Sequence, residues 1–301
     1  MVDTATDISN PEVLVREKLD ELISFRNENQ DIKEFWGKQF DLGLAWVQFP
    51  VGAGGLGLNP KYQLLVTETL RNEGISQQNR IGNLLGIGMG APTITEYGTQ
   101  EQISKYLRPM FTTDEIWCQL FSEPGSGSDL ASLSTKAVDD GDGYIVNGQK
   151  VWTTLGHLAK WGLIVTRTDP TVPKHRGLTF FIVDMESDGV DVRPLRQITG
   201  EAEFNEVYFT DVKIPKENIL GSLGEGWRVS LTILMNERVA IGGSVRERGS
   251  GAPGHLIQLW KEKNLNDQVT RDNLIKLWIE QEAVRLTNCL LYTSDAADEQ
   301  Q

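Results

Sequence analysis

Apolar residues return every three or four positions at the start of this chain. Val15, Leu19, Leu22 and Ile23 share one helical face, and Asn10-Pro11 ahead of them supply an N-cap and a first-turn proline. Residues 1–9 carry no such pattern and are expected to fray. Phe35, Trp36, Phe40 and Leu44 predict a second helix. It runs toward Phe49-Pro50-Val51-Gly52-Ala53-Gly54-Gly55-Leu56-Gly57, where Pro and Gly force a loop. Residues 60–74, 77–97 and 99–110 predict three more helices. The period changes near residue 116. Tyr144-Ile145-Val146 and Lys150-Val151-Trp152 flank Asn147-Gly148, which predicts a β-hairpin with an Asn-Gly turn. Strand-like runs follow at 163–166, 178–183, 190–193 and 204–209, ending near Gly221. Helical spacing returns from Gly226. Trp227 to Gly243 predicts one helix, and Leu274, Leu277 and Trp278 mark another. Between them, Arg246-Glu247-Arg248 and Gly249-Ser250-Gly251-Ala252-Pro253-Gly254 read as a charged, flexible turn. Helices, then strands, then helices predict an α+β fold with segregated layers.

Composition narrows the function classes. A length of 301 residues predicts two or three packed units. The formal net charge of −13 argues against nucleic acid or an anionic membrane as the main partner, since both need basic surface. Cys118 and Cys289 form no CxxC, so neither a disulfide framework nor a thiolate metal site is expected, and a cytoplasmic location fits. His157, His175 and His255 are scattered without metal-binding spacing. No signal-like start and no bilayer-length apolar run is present, so membrane insertion is not expected.

Candidate chemistry concentrates in two blocks. The first is Gln119-Leu120-Phe121-Ser122-Glu123-Pro124-Gly125-Ser126-Gly127-Ser128-Asp129. Its small residues let backbone N–H groups and hydroxyls approach a phosphate or a flat polar ring. The second, Gly148-Gln149-Lys150-Val151-Trp152-Thr153-Thr154, puts a Trp and two hydroxyls at the end of a strand, where they can meet an aromatic cofactor. Each has a plainer reading. Trp152 can be a strand-core aromatic, and Ser126 and Ser128 can be turn residues.

Ser122 to Asp129 resembles the flavin-binding loop of the acyl-CoA dehydrogenase family, and Asn147 to Thr154 resembles its second flavin element. The likeness runs in register from Gly54-Gly55-Leu56-Gly57 through Gly98-Thr99-Gln100-Glu101-Gln102 to Asn236-Glu237-Arg238, over most of residues 35–245. It implies an N-terminal α-helical domain at 1–115, a middle β-barrel at 116–224 and an incomplete C-terminal helical domain at 225–288, with FAD between them. It further implies that Gln119, Phe121, Ser122, Gly127 and Ser128 bind the flavin ring and pyrophosphate. Trp152, Thr153 and Thr154 line the ring, and Ser128 also touches the substrate.

The family reaction oxidises an acyl-CoA thioester to the trans-2-enoyl-CoA, with electrons passing to an electron-transfer flavoprotein. A carboxylate removes the α-proton while a hydride leaves the β-carbon, and the developing enolate needs stabilisation. Most members carry the base in a loop near the C-terminus. The isovaleryl-CoA dehydrogenase branch carries it on the first helix after the barrel, directly before an Arg. Here that pair is Glu237-Arg238, so Glu237 is the candidate base and Arg238 a candidate CoA contact. The plainer reading of Glu237 is a surface helix residue. Met235 stands where an acidic residue is common, and the family's Arg and Phe-Gly pattern is missing around 246–254.

A homodimer, a homotetramer or a hetero-oligomer with a paralogue is implied. Two rivals share the fold: a flavin oxidase or monooxygenase, and a non-catalytic partner subunit. Residues 289–301 resemble the translation of a sequencing-library adapter and are expected to be non-native. The alternative is a polar helix end with an acidic tail.

Overall fold

The structure is a computed structural model that describes residues 10–27, 30–75, 82–242, 248–249 and 251–293. Helix α1 spans Pro11–Ser24. The Asn10 side chain accepts from the Glu12 and Val13 N–H groups, and Val15, Leu19 and Leu22 are buried. Helix α2, Ile32–Asp41, starts at an Asp31 cap and stops well short of Phe49. Leu44 is buried beyond its end, because the chain turns at Gly43 with φ 77°. Helix α3 is Tyr62–Asn72.

The long helix expected at 77–97 is not uniform. Residues 77–81 lie outside the described residues, Gly86–Gly90 is a π-helical turn, and only Ala91–Tyr97 (α4) is regular. Pro92 removes an N–H at the junction between them. Helix α5, Gln100–Phe111, opens with a full capping box between Thr99 and Gln102.

The strands are β1 Trp117–Leu120, β2 Lys136–Asp139, β3 Gly143–Thr154, β4 Trp161–Arg167, β5 Leu178–Asp184, β6 Val190–Leu195 and β7 Phe204–Pro215. They form one seven-stranded mixed sheet in the order β1-β4-β2-β3-β7-β6, with β5 on the other side of β4. β1 and β2 run parallel to β4, and the other pairs are antiparallel. β4 and β5 are buried at every position but the last, which explains their unbroken apolar runs. Cys118, Leu120, Val146, Ile164, Phe181, Val207, Val212 and Ile214 build the core beneath the sheet.

Helices and sheet are joined by buried polar clasps. Asn83 donates to the carbonyls of Met110 and Glu115 at 2.7 and 3.0 Å and accepts from the Trp117 N–H at 2.9 Å. Gln102, already part of the α5 cap, donates to the carbonyls of Glu217 and Ile219 at 2.7 and 2.8 Å. Tyr106 packs edge-on against Trp117 and Trp161, with centroids 5.2 and 5.0 Å away. These contacts fix where β1 begins, and β1 leads straight into the Gly/Ser loop.

The expected Asn147-Gly148 hairpin is absent. β3 runs through both residues, and the turn joining β2 to β3 is at Asp140–Asp142. At Asn147 the β3–β7 register slips, and its side chain closes the gap by exchanging two 3.0 Å hydrogen bonds with Asp211. Gly148 is required by close approach, since a Cβ there would lie 2.7 Å from the Cα of Thr135. The Asn-Gly pair marks a bulge rather than a turn.

After the sheet come α6 Gly226–Gly242, α7 Gly251–Glu262 and α8 Gln268–Thr293. Gly251-Ala252-Pro253-Gly254, expected as loop, is the first turn of α7, where proline is tolerated. Arg246, Glu247, Gly243 and residues 1–9 and 294–301 lie outside the described residues.

The chain divides into two units, 1–236 and 237–301. In the second, Glu282 accepts from the Gly249 N–H at 3.2 Å and pairs with Arg285 at 2.8 Å. No α7 residue is buried, and Leu256, Leu259, Leu277 and Val284 are exposed. Among the described residues no helix is long and apolar enough to cross a membrane.

The Gly148 contact gives a direct test. Gly148→Ala is expected to cost about 1–3 kcal/mol in urea unfolding. Gly127→Ala, with nothing within 4 Å of its added Cβ, stays within about 0.5 kcal/mol of the parent.

Candidate functional site

The two sequence blocks meet in space. Beyond β1 the chain makes a tight turn in which Glu123 and Ser126 exchange backbone hydrogen bonds at 2.8 and 3.1 Å around Pro124-Gly125. The Ser126 hydroxyl donates to the Asp129 carbonyl at 2.7 Å, so Ser126 is a turn residue. The Val151 N–H on β3 donates to the Ser122 carbonyl at 2.8 Å. One residue earlier, the Lys150 ammonium reaches the Phe121 carbonyl at 3.0 Å and the Glu123 carboxylate at 2.9 Å. Glu123 also accepts from the Ser134 N–H and hydroxyl at 2.6 and 2.7 Å and from the Thr135 N–H at 2.9 Å.

Lys150 is 0% exposed and Glu123 6%. Burial alone raises the Glu123 pKa, but the Lys150 charge and the Thr135 and Ser134 hydrogen bonds outweigh it and hold it at about 2. Burial pulls Lys150 down to about 8, against the opposing pull of Glu123. Both groups are therefore charged at neutral pH.

At this point β3 bulges. Lys150 pairs with Val207 and Thr153 with Asn205, leaving Val151 and Trp152 opposite a single β7 residue. Trp152 takes a left-handed backbone, φ 61°, and is 62% exposed, its ring edge-on to Phe204 at 6.0 Å. It is not a core aromatic. Thr153 is buried with its hydroxyl unpartnered, and its carbonyl accepts from Asn205 at 2.9 Å.

Phe121 is buried edge-on against Phe180 at 5.8 Å, so only its backbone faces the loop. Gln119, Ser122 and Thr154 are half-buried, while Gly127 and Ser128 are exposed. Among the described residues, the side chains of Gln119, Ser122, Ser128 and Thr154 make no hydrogen bond within the protein.

Glu237 and Arg238 lie on α6, at the start of the second unit. Glu237 is half-buried and its side chain makes no hydrogen bond or ion pair among the described residues, and Arg238 is exposed. The structure thus brings together the loop and β3 residues, while Glu237 and Arg238 belong to the other unit. The sequence reading missed the pair that joins the two blocks. Glu123 and Lys150 were quoted in the motifs without a role. The available signal was two opposite charges, one in each block.

Comparison with known proteins now decides the family. The acyl-CoA dehydrogenase N-terminal domain matches residues 11–114, and the acyl-CoA dehydrogenase middle domain matches 118–212. The chain belongs to the acyl-CoA dehydrogenase family. It is 46% identical over 202 residues to acyl-CoA dehydrogenase FadE34 of Mycobacterium tuberculosis, covering 67% of this chain and 28% of that protein. It is 36% identical over 256 residues to acyl-CoA dehydrogenase IpdE1 of Mycolicibacterium smegmatis, covering 81% of this chain and 64% of that protein. The chain therefore spans less than two thirds of either relative. Among solved structures, the ChsE4–ChsE5 complex from Mycobacterium tuberculosis includes a chain 27% identical to it. That match has a TM-score of 0.66 and covers 98% of this chain and 78% of that one.

An acyl-CoA dehydrogenase loop of this kind has to offer unspent donors and an accessible ring. Ser122, Ser128, Thr154 and Gln119 keep their side-chain polar groups free of partners among the described residues, nothing crowds Gly125 or Gly127, and Trp152 is open to solvent. The residues fit a flat, polar, phosphate-bearing cofactor.

The buried pair sets an acid limit. Glu123 has a folded pKa below its unfolded value near 4.5. Its contribution is complete above that value and is lost as pH falls toward about 2, a loss of roughly 3 kcal/mol. Urea unfolding from pH 5 to 2.5 is expected to show this slope, and Glu123→Gln to flatten it. At pH 7 the same substitution strands the Lys150 charge and is expected to cost about 3–5 kcal/mol.

Proposed function

We propose that this protein acts in FAD-dependent α,β-dehydrogenation of an acyl-CoA thioester, with electrons passed to an electron-transfer flavoprotein. The observation that carries the reading is the joining of the Gly/Ser loop to the β3 bulge. This leaves Trp152 exposed and the Ser122, Ser128 and Thr154 hydroxyls unspent, in a chain of the acyl-CoA dehydrogenase family.

In this reading Gln119, Phe121 and Ser122 hold the flavin ring, the Phe121 contribution being its backbone. Gly127 and Ser128 approach the pyrophosphate, and Trp152, Thr153 and Thr154 line the ring. Because the Thr153 hydroxyl is buried, Thr153 contributes through its backbone. FAD held there would supply the hydride acceptor for the substrate β-carbon. Glu237 takes the α-proton on its carboxylate, which has no competing protein partner among the described residues. Arg238 offers a cation to the CoA phosphates, and Ser128 offers a hydroxyl to the thioester end. A soluble cytoplasmic homodimer or homotetramer is the assembly proposed.

A second reading is favoured by the likeness to a chain of the ChsE4–ChsE5 complex. On that reading the protein is one subunit of a hetero-oligomer and supports catalysis in a paralogue.

Purified protein separates the two. The first reading expects bound FAD whose visible absorption bleaches with some member of a panel of short, long, branched and ring-bearing acyl-CoAs. Absence of FAD, or no bleaching across the panel, favours the second. Trp152→Ala is expected to weaken FAD binding tenfold or more while leaving the FAD-free protein within about 0.5 kcal/mol of the parent, because the ring is exposed. Glu237→Gln is expected to lower turnover about 10²–10⁴-fold with FAD content unchanged. Turnover near that of the parent removes Glu237 as the base.

A further inference from the structure

The Glu123–Lys150 pair reaches past stability into the geometry of the loop. The C=O and N–H of one trans peptide point in opposite directions. The Phe121 carbonyl is pulled inward by the fully buried Lys150 ammonium at 3.0 Å. The same peptide carries the Ser122 N–H, which is therefore turned away from Lys150. It meets no acceptor among the described residues. The next carbonyl, of Ser122, is held by the Val151 N–H at 2.8 Å, so two successive peptides are fixed from β3.

Glu123 holds the arrangement from the other side. Its carboxylate anchors Lys150 and also the Ser134 and Thr135 N–H groups at the far end of the loop. Lys150 sits directly before the bulge that exposes Trp152. One ion pair thus sets the orientation of a free backbone donor on one wall and lies beside the exposed indole on the other.

We propose that Glu123 and Lys150 are positioning residues for the flavin: by drawing the Phe121 carbonyl inward they present the Ser122 N–H to the cofactor ring. The proposal rests on the flavin reading above. It assigns no chemistry to the pair, which acts only through the backbone that it orients.

The test compares the parent protein, Lys150→Met, and the double variant Glu123→Gln/Lys150→Met, with FAD as the probe. Stability and FAD affinity are read separately. Lys150→Met leaves a buried carboxylate without its cation and is expected to lower the melting temperature. The double variant removes both charges and is expected to regain most of that loss. Neither variant has a donor for the Phe121 carbonyl, so both are expected to bind FAD at least tenfold more weakly. A double variant of recovered stability that binds FAD within threefold of the parent overturns the proposal.

A measurement on the parent alone needs no variant to fold. Hydrogen exchange at the Ser122 amide is expected to be fast without FAD and at least tenfold slower with it. Equal rates in the two states overturn the proposal. Failure of the parent to bind FAD at all is a different result. It removes the flavin reading, and the positioning role toward flavin goes with it.

Discussion

Two opposite charges, Glu123 and Lys150, are buried where the Gly/Ser loop meets the sheet, and the shape of the candidate site depends on them. A buried ion pair is seldom a net source of stability, because desolvating two charges offsets much of their attraction. What it contributes is a narrow choice of geometry. Glu123 gathers donors from Ser134, Thr135 and Lys150, and Lys150 divides its protons between Glu123 and the Phe121 carbonyl. A loop made of Ser, Gly and Pro has little side-chain mass with which to hold itself. Here the holding is done from the strand. The same strand bulges two residues later and turns Trp152 outward in a conformation that non-glycine residues adopt rarely.

The helical layer reaches the site through a second set of polar clasps. Asn83 satisfies backbone groups from α5, the α5–β1 connection and β1 at once. Gln102 serves both the α5 cap and the segment after β7. Each of these amides is buried, so each lost bond carries a desolvation penalty. Together with the Tyr106–Trp117–Trp161 cluster they fix the start of β1, and thereby the point from which the loop departs. Membership in the acyl-CoA dehydrogenase family gives this arrangement its meaning. The loop and the bulge form two walls with unspent donors and one exposed aromatic face.

Much of this was legible in the residue pattern. The α1 cap, the change of period near residue 116 and the strand-like runs at 163–166, 178–183, 190–193 and 204–209 follow from local rules. These are decided within a few residues, by spacing and by a cap's own hydrogen bonds. The likeness to the family was legible in the order of the two motif blocks.

Other features depended on partners distant in sequence. Asn147-Gly148 satisfies the local rule for a turn, yet Asp211 and Thr135 make it a bulge inside a long strand. Ser126 and Ser128 look equivalent in the motif, yet one hydroxyl is spent on the turn and the other is free. Trp152 and Thr153 are neighbours of which the larger is exposed and the smaller buried, because the bulge breaks the strand's alternation. The sequence by itself determined most of the helices and strands and singled out the two segments proposed to carry the chemistry. Only the tertiary structure decided how those segments face each other, because the charges that join them lie 27 residues apart and become partners only when β3 packs beside the end of β1.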